Sequence, residues 1–135
     1  GAVFKALGCA TCHLPKLGDV EGLYSDLLLH DMSPQLGDTS LYGVFAAQPE
    51  AEAAPGRKPR PGASLQEWRT PPLWGLRDSG PYLHDGRAES LDQAIRMHGG
   101  QAAASARRYT QLNGRERTQL EAFLSTLAAP KPAVK

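Results

Sequence analysis

Cys9-Ala10-Thr11-Cys12-His13 is the stretch of this chain whose residue types and spacing can do chemistry. Two thiols three positions apart, followed at once by an imidazole, match the attachment site of a c-type haem. The thiols add across the two vinyl groups of the porphyrin, and the histidine reaches the iron as its proximal ligand. The chain has two cysteines in all, so one site uses both. The expected cofactor is a single, covalently bound haem c, with His13 as a metal ligand.

Other chemistries use a similar pattern. A Cys-x-x-Cys redox dithiol sits near a βαβ pattern, which is absent here. Structural zinc takes four protein ligands, with a second pair at finger-like spacing, and no such spacing follows His13. A disulfide across two residues would contribute little loop-closure entropy. Haem attachment outweighs all three.

A six-coordinate iron needs a second axial ligand, His or Met. The candidates are His30, Met32, His84, Met97 and His98. On a helix beginning at Leu91, positions 91, 94, 95 and 98 share one face, so His98 projects with Leu91 and Ile95. Met97 lies about 100° away. If that apolar stripe packs against the haem, His98 meets the iron and Met97 does not. Met32 is the main competitor, and a His-Met pair would give a higher potential than two histidines. Met97 and His84 follow. His30 reads as a hydrogen-bond donor to a loop carbonyl or a propionate, and His84 as a ring oriented by Asp85. Arg69 and Arg87 are candidate propionate partners, because a guanidinium pairs a carboxylate through two parallel bonds. Exposed surface arginines are the alternative for both. Trp74 is expected to pack on the porphyrin; an electron-relay role is the less economical reading.

The elements that must position these groups are short. Val3, Phe4 and Leu7 share a helical face just before the motif. Tyr24 to Met32 is an apolar run ending in polar side chains, broken by Ser33-Pro34 and Gly37. Residues 48–63 carry four prolines and the cluster Arg57-Lys58-Pro59-Arg60, the composition of a solvated loop insertion; a basic docking patch is the rarer alternative. Ser90 and Gln93 form a capping box for a helix running to about His98, where Gly99-Gly100 stops it. A further helix spans about Ala102 to Tyr109. Asn113 and Glu116 cap the last, whose stripe is Leu120, Phe123, Leu124 and Leu127. Pro130 and Pro132 end it, and 128–135 reads as a tail.

Composition bounds the rest. The chain's 135 residues suit a single domain with a real core. Net charge is +1, so nothing pulls strongly on nucleic acid or a membrane surface. No apolar run approaches a bilayer span. Fourteen glycines and eleven prolines, with few β-branched residues, favour few helices joined by long loops. The expected fold is therefore all-α, a class I cytochrome c-like domain of few helices and long ordered loops around one covalently bound haem c. Covalent haem c attachment is an extracytoplasmic chemistry in bacteria, so the expected location is periplasmic, with a leader or larger segment removed ahead of Gly1.

Four ordered motifs carry a family resemblance. Gly8-Cys9-Ala10-Thr11-Cys12-His13, Asp26-Leu27-Leu28-Leu29-His30-Asp31-Met32, Trp68-Arg69-Thr70-Pro71-Pro72-Leu73-Trp74-Gly75-Leu76 and Tyr82-Leu83-His84-Asp85-Gly86-Arg87-Ala88 together resemble the C-terminal haem domain of bacterial di-haem oxidoreductases. That group is also catalogued as thiol oxidoreductases, and is related to di-haem cytochrome c peroxidases and rubber oxygenases. The similarity runs from Phe4 to Leu127. In the peroxidase relatives, a stretch similar to Tyr82-Leu83-His84-Asp85-Gly86 precedes the axial methionine of the electron-transfer haem by a fixed interval. Carried onto this sequence, that interval lands on His98, which implies a bis-His haem and departs from the peroxidase pattern. The relatives carry two haems in two domains, and one attachment motif occurs here. The resemblance thus implies the electron-relay half, partnered by a second haem domain or by a donor or acceptor protein.

The expected function is electron transfer through a six-coordinate, bis-His haem c. The rival is a peroxidase- or oxygenase-type centre whose distal position opens, so whether the chain is itself an enzyme stays open. A third class is a sensor in which a small molecule displaces His98.

Overall fold

The apolar spacing of Val3, Phe4 and Leu7 yields the first helix, α1 (Ala2–Ala6), which buries Phe4 and hands over to a buried Leu7. The computed structural model describes residues 1–37 and 64–128. The insertion expected at 48–63, with its basic cluster, lies outside the described residues, as does the tail after 128.

After α1 the chain turns through the attachment motif into two small antiparallel pairs. β1 (Lys16–Leu17) pairs with β2 (Val20–Glu21), and β3 (Leu29–Asp31) pairs with β4 (Glu67–Arg69). The second register sets His30 directly across from Trp68. Three further helices follow: α2 (Leu91–Arg96), α3 (Ala103–Thr110) and α4 (Gly114–Leu124). The all-α expectation is therefore corrected to a helical protein with small sheets. The strands are two or three residues long, too short for a period-2 pattern to reveal them. They pair loop backbone that would otherwise leave donors and acceptors unsatisfied.

The caps act much as their residue types dictate. Asn113 accepts from the Glu116 amide at 3.0 Å, and the Glu116 carboxylate accepts from the Asn113 amide, also at 3.0 Å. Ser90 accepts from the Gln93 amide at 3.2 Å, but the Gln93 side chain bonds the Glu89 amide rather than that of Ser90. α2 also stops earlier than its spacing predicts, at Arg96 with Met97 as cap. The backbone of Asp31 to Ser33 lies so close to Gly99 and Gly100 that a Cβ on either would collide with it. Gly100 adopts φ +49° as well, so close approach and conformation both require glycine.

Phe4, Leu7, Leu73, Tyr109, Leu120 and Leu124 form the core, with Leu91 and Ile95 of α2 packed against it. Each such large side chain contributes about 1.5–3 kcal/mol on burial. The Tyr109 hydroxyl donates to Asp92 at 2.8 Å, and Arg96 donates to the same carboxylate at 2.7 Å. Arg117 of α4 approaches it at 3.6 Å. This cluster ties α2 to α3 and α4. Among the described residues, no helix is long and apolar enough to cross a membrane.

Candidate functional site

Gly8, at φ +85°, turns the chain out of α1 into a single 3-10 turn, Cys9–Thr11. Arg108 of α3 secures that corner, donating through Nε and Nη2 to the Leu7 carbonyl at 2.9 and 2.7 Å. Sequence reading gave Arg108 no role; the two residues lie 101 positions apart. Both cysteines are free thiols. Burial pushes Cys9 up to about 11, and raises Cys12, with the Asp26 charge adding to the effect. Near neutral pH both sulfurs therefore stay protonated.

The His13 ring donates from Nδ1 to the Tyr24 carbonyl at 3.0 Å. A carbonyl only accepts, so Nδ1 carries the hydrogen and Nε2 keeps its lone pair. Tyr24 sits at φ +52°, a sparsely populated conformation for a non-glycine residue. Burial lowers His13 to about 4, against the opposing Tyr24 bond and with help from nearby His98. The ring is neutral, as a metal ligand must be.

His98 repeats this arrangement just past the end of α2. Its Nδ1 donates to the Ala94 carbonyl at 2.7 Å, again leaving Nε2 as the free nitrogen. Burial lowers its pKa, with the Ala94 bond opposing. His13, His98, Cys9 and Cys12 all line one cavity of about 450 Å³, within the size range of cofactor pockets. Its walls are mostly apolar, with Leu91 and Ile95 beside His98. Met97 does not line it, whereas Met32 and His84 do. Two thiols, two neutral imidazoles and an apolar cleft are a donor set that suits a haem c.

The remaining candidates divide. Arg69 and Trp74 line the cavity, and the Trp74 indole donates to the Gly22 carbonyl at 2.8 Å. Arg87 lies off its wall: the guanidinium is engaged by Asp85 and by the carbonyls of Gln35 and Gly37. Three of its five N–H donors are engaged in this way. His84 is 3.8 Å from Asp85, but its main contact is a parallel stack on Trp68, with centroids 3.5 Å apart. His30 meets two side chains, not a loop backbone carbonyl. Its Nε2 meets Asp26 at 2.7 Å and its Nδ1 meets Gln101 at 2.8 Å. Cys12, Asp26 and His30 bring ligand atoms within 4.8 Å of one another. Spacing alone did not show that convergence, because Cys12 comes from a different segment from Asp26 and His30.

This geometry has the residues a haem-attachment cleft requires. Residues 1–127 match the family described as "Di-haem oxidoreductase, putative peroxidase", and the chain belongs to that family. Its members bind haem c. The chain is 31% identical over 132 residues to the methylamine utilization protein MauG of Methylorubrum extorquens, covering 94% of this chain and 33% of that protein. It is 28% identical over 137 aligned positions to the cytochrome c551 peroxidase of Nitrosomonas europaea, covering 98% and 34% respectively. The chain thus spans about a third of the length of these curated relatives. No solved structure matches it.

Proposed function

We propose that this chain is a single c-type cytochrome domain that relays electrons as half of a periplasmic di-haem oxidoreductase or peroxidase-like protein. One covalent haem c would be held through Cys9 and Cys12, with His13 and His98 as the ligands to its iron. One observation carries this reading: two neutral imidazoles line the cleft that holds both thiols, each with Nδ1 pinned by a carbonyl and Nε2 free.

When bound, the haem supplies an iron that exchanges one electron between its ferrous and ferric states. The chain's own residues do the rest. The Tyr24 and Ala94 carbonyls set the tautomer and aim of each ligand ring, which also raises ligand basicity. Leu91, Ile95 and Leu73 exclude water from the cleft. Arg69 offers a guanidinium to a propionate, and Trp74 covers the porphyrin. Two strong ligands leave little room for rearrangement, which favours rapid electron exchange with a second haem domain or a redox protein.

The EPR and optical spectra of the oxidised holoprotein test this. Two imidazoles predict a low-spin ferric signal, and His98→Gly is expected to convert it to high spin. An unchanged spectrum in that variant removes His98 from the iron. A catalytic reading draws on one observation: His84 lines the same cleft, with the Asp85 carboxylate 3.8 Å from its ring. It requires an open distal position, and a high-spin ferric population that reacts rapidly with peroxide would favour it.

A further inference from the structure

We infer that His30, held between Asp26 and Gln101 beside Cys12, is a proton-accepting group coupled to the electron carried in the neighbouring cleft. This rests on the haem reading above and adds a residue that reading does not use.

The geometry begins at Asp26, a buried carboxylate on an exposed leucine run. Its Oδ1 accepts from the Leu28 amide at 3.0 Å, and its Oδ2 faces His30 Nε2 at 2.7 Å. On the other side of the ring, Nδ1 faces Gln101 Oε1 at 2.8 Å, across 71 positions of sequence. Both ring nitrogens thus meet oxygen acceptors. A neutral imidazole has one N–H and satisfies one of them; the imidazolium satisfies both. Burial disfavours the charged ring, but the bonds to Asp26 and Gln101 outweigh it and hold His30 above its ordinary value. Burial likewise opposes the Asp26 charge, and the bonds from Leu28, His30 and Thr70 hold that carboxyl low.

The ring also reaches the cleft. His30 lines the cavity, its Nδ1 is 3.8 Å from the Cys12 sulfur, and its charge contributes to lowering His13. Among the described residues, the charged and titratable groups around it are few. Asp26 and Cys12 touch it directly, and His13 feels it. On β4, Trp68 is its cross-strand partner, flanked by Glu67 opposite Asp31 and Arg69 opposite Leu29. The Gly100–Ala102 turn contributes Gln101, which is uncharged.

The balance is simple. One electron arrives from the reducing partner, and one proton from solvent binds Nδ1 of a neutral His30; no covalent bond in the protein breaks. The neutral ring keeps its remaining hydrogen on Nε2, toward the stronger acceptor Asp26. Gln101, an exposed residue, then presents its amide N–H to Nδ1 and turns its carbonyl there when the proton returns. A cation at His30 favours the added electron. The potential is therefore highest at low pH, falls as pH rises between the His30 pKa values of the oxidised and reduced states, and levels above both.

The midpoint potential of the holoprotein, followed by spectroelectrochemistry from about pH 5 to about pH 9, tests this. The unmodified protein should show a falling segment that His30→Gln loses. Gln101→Leu removes one acceptor for the cation and should move that segment to lower pH. Parallel curves for the unmodified protein and His30→Gln overturn the inference. If His30→Gln does not retain haem, NMR titration of the His30 ring in the unmodified protein decides: a higher pKa in the reduced state supports the coupling, and equal values in both states overturn it. A low-spin bis-imidazole spectrum with parallel curves retires His30 alone. A spectrum without imidazole pairing retires the axial assignment, whatever the slope.

Discussion

The two imidazoles at the cleft are held by the same kind of bond but by different kinds of structure. His13 donates to Tyr24, a loop residue eleven positions on, whose own backbone lies at φ +52°. His98 donates to Ala94, four positions back within α2. The His13 ring therefore takes its direction from tertiary packing. The His98 ring takes its direction from a carbonyl of α2, and tertiary packing decides only where that helix sits. Two devices fix it: the Asp92 cluster toward α3 and α4, and the approach of Gly99-Gly100 to the 31–33 backbone.

Glycine substitutions on the two sides should break this comparison most sharply. Gly100→Ala would drive a Cβ into the Asp31 carbonyl at a left-handed φ. Rigid backbone cannot yield, so we expect a loss on the order of 3 kcal/mol in denaturant unfolding of the holoprotein. Gly8→Ala on the proximal side meets the end of the flexible Arg108 side chain, 2.6 Å from the new carbon. That arginine can move, at the expense of its bonds to Leu7, so about 1–2 kcal/mol is expected. Equal losses in the two variants would show that the sides are not held differently.

Smaller effects sharpen the picture. Asn113→Ala removes a complete capping box from α4 and should cost about 1 kcal/mol while leaving the haem spectrum unchanged. The distal cluster also predicts an acid response. Hydrogen bonds from Arg96 and Tyr109 hold the Asp92 carboxyl below its ordinary value. A carboxyl depressed on folding contributes stability that is present above its unfolded pKa, about 4, and is lost as pH falls through the folded one. Urea midpoints measured through the acid range should fall less steeply in Asp92→Asn than in the unmodified protein.

Local chemistry was legible wherever spacing along the chain is enough. Ser90 and Asn113 cap the helices that their types announce, and positions 91, 94 and 95 of α2 face the cleft because a helix repeats every 3.6 residues, with His98 lining it two residues past the helix end. Partners brought together by folding were not legible. The carbonyls of Gln35 and Gly37 that Arg87 donates to lie about fifty positions away, and Gln101, which meets His30, is 71 positions away.

By itself the sequence determined the attachment motif, the helix caps and the apolar stripes. Each depends on neighbours within a turn or two, whose geometry the backbone repeat dictates. Only the tertiary structure decided the rest: that Tyr24 aims His13, that Arg108 pins the corner before Cys9, and that Asp26, His30 and Gln101 meet beside Cys12. These pairings form only when loops close, and the side chains that meet there carry no periodic signal of their partners.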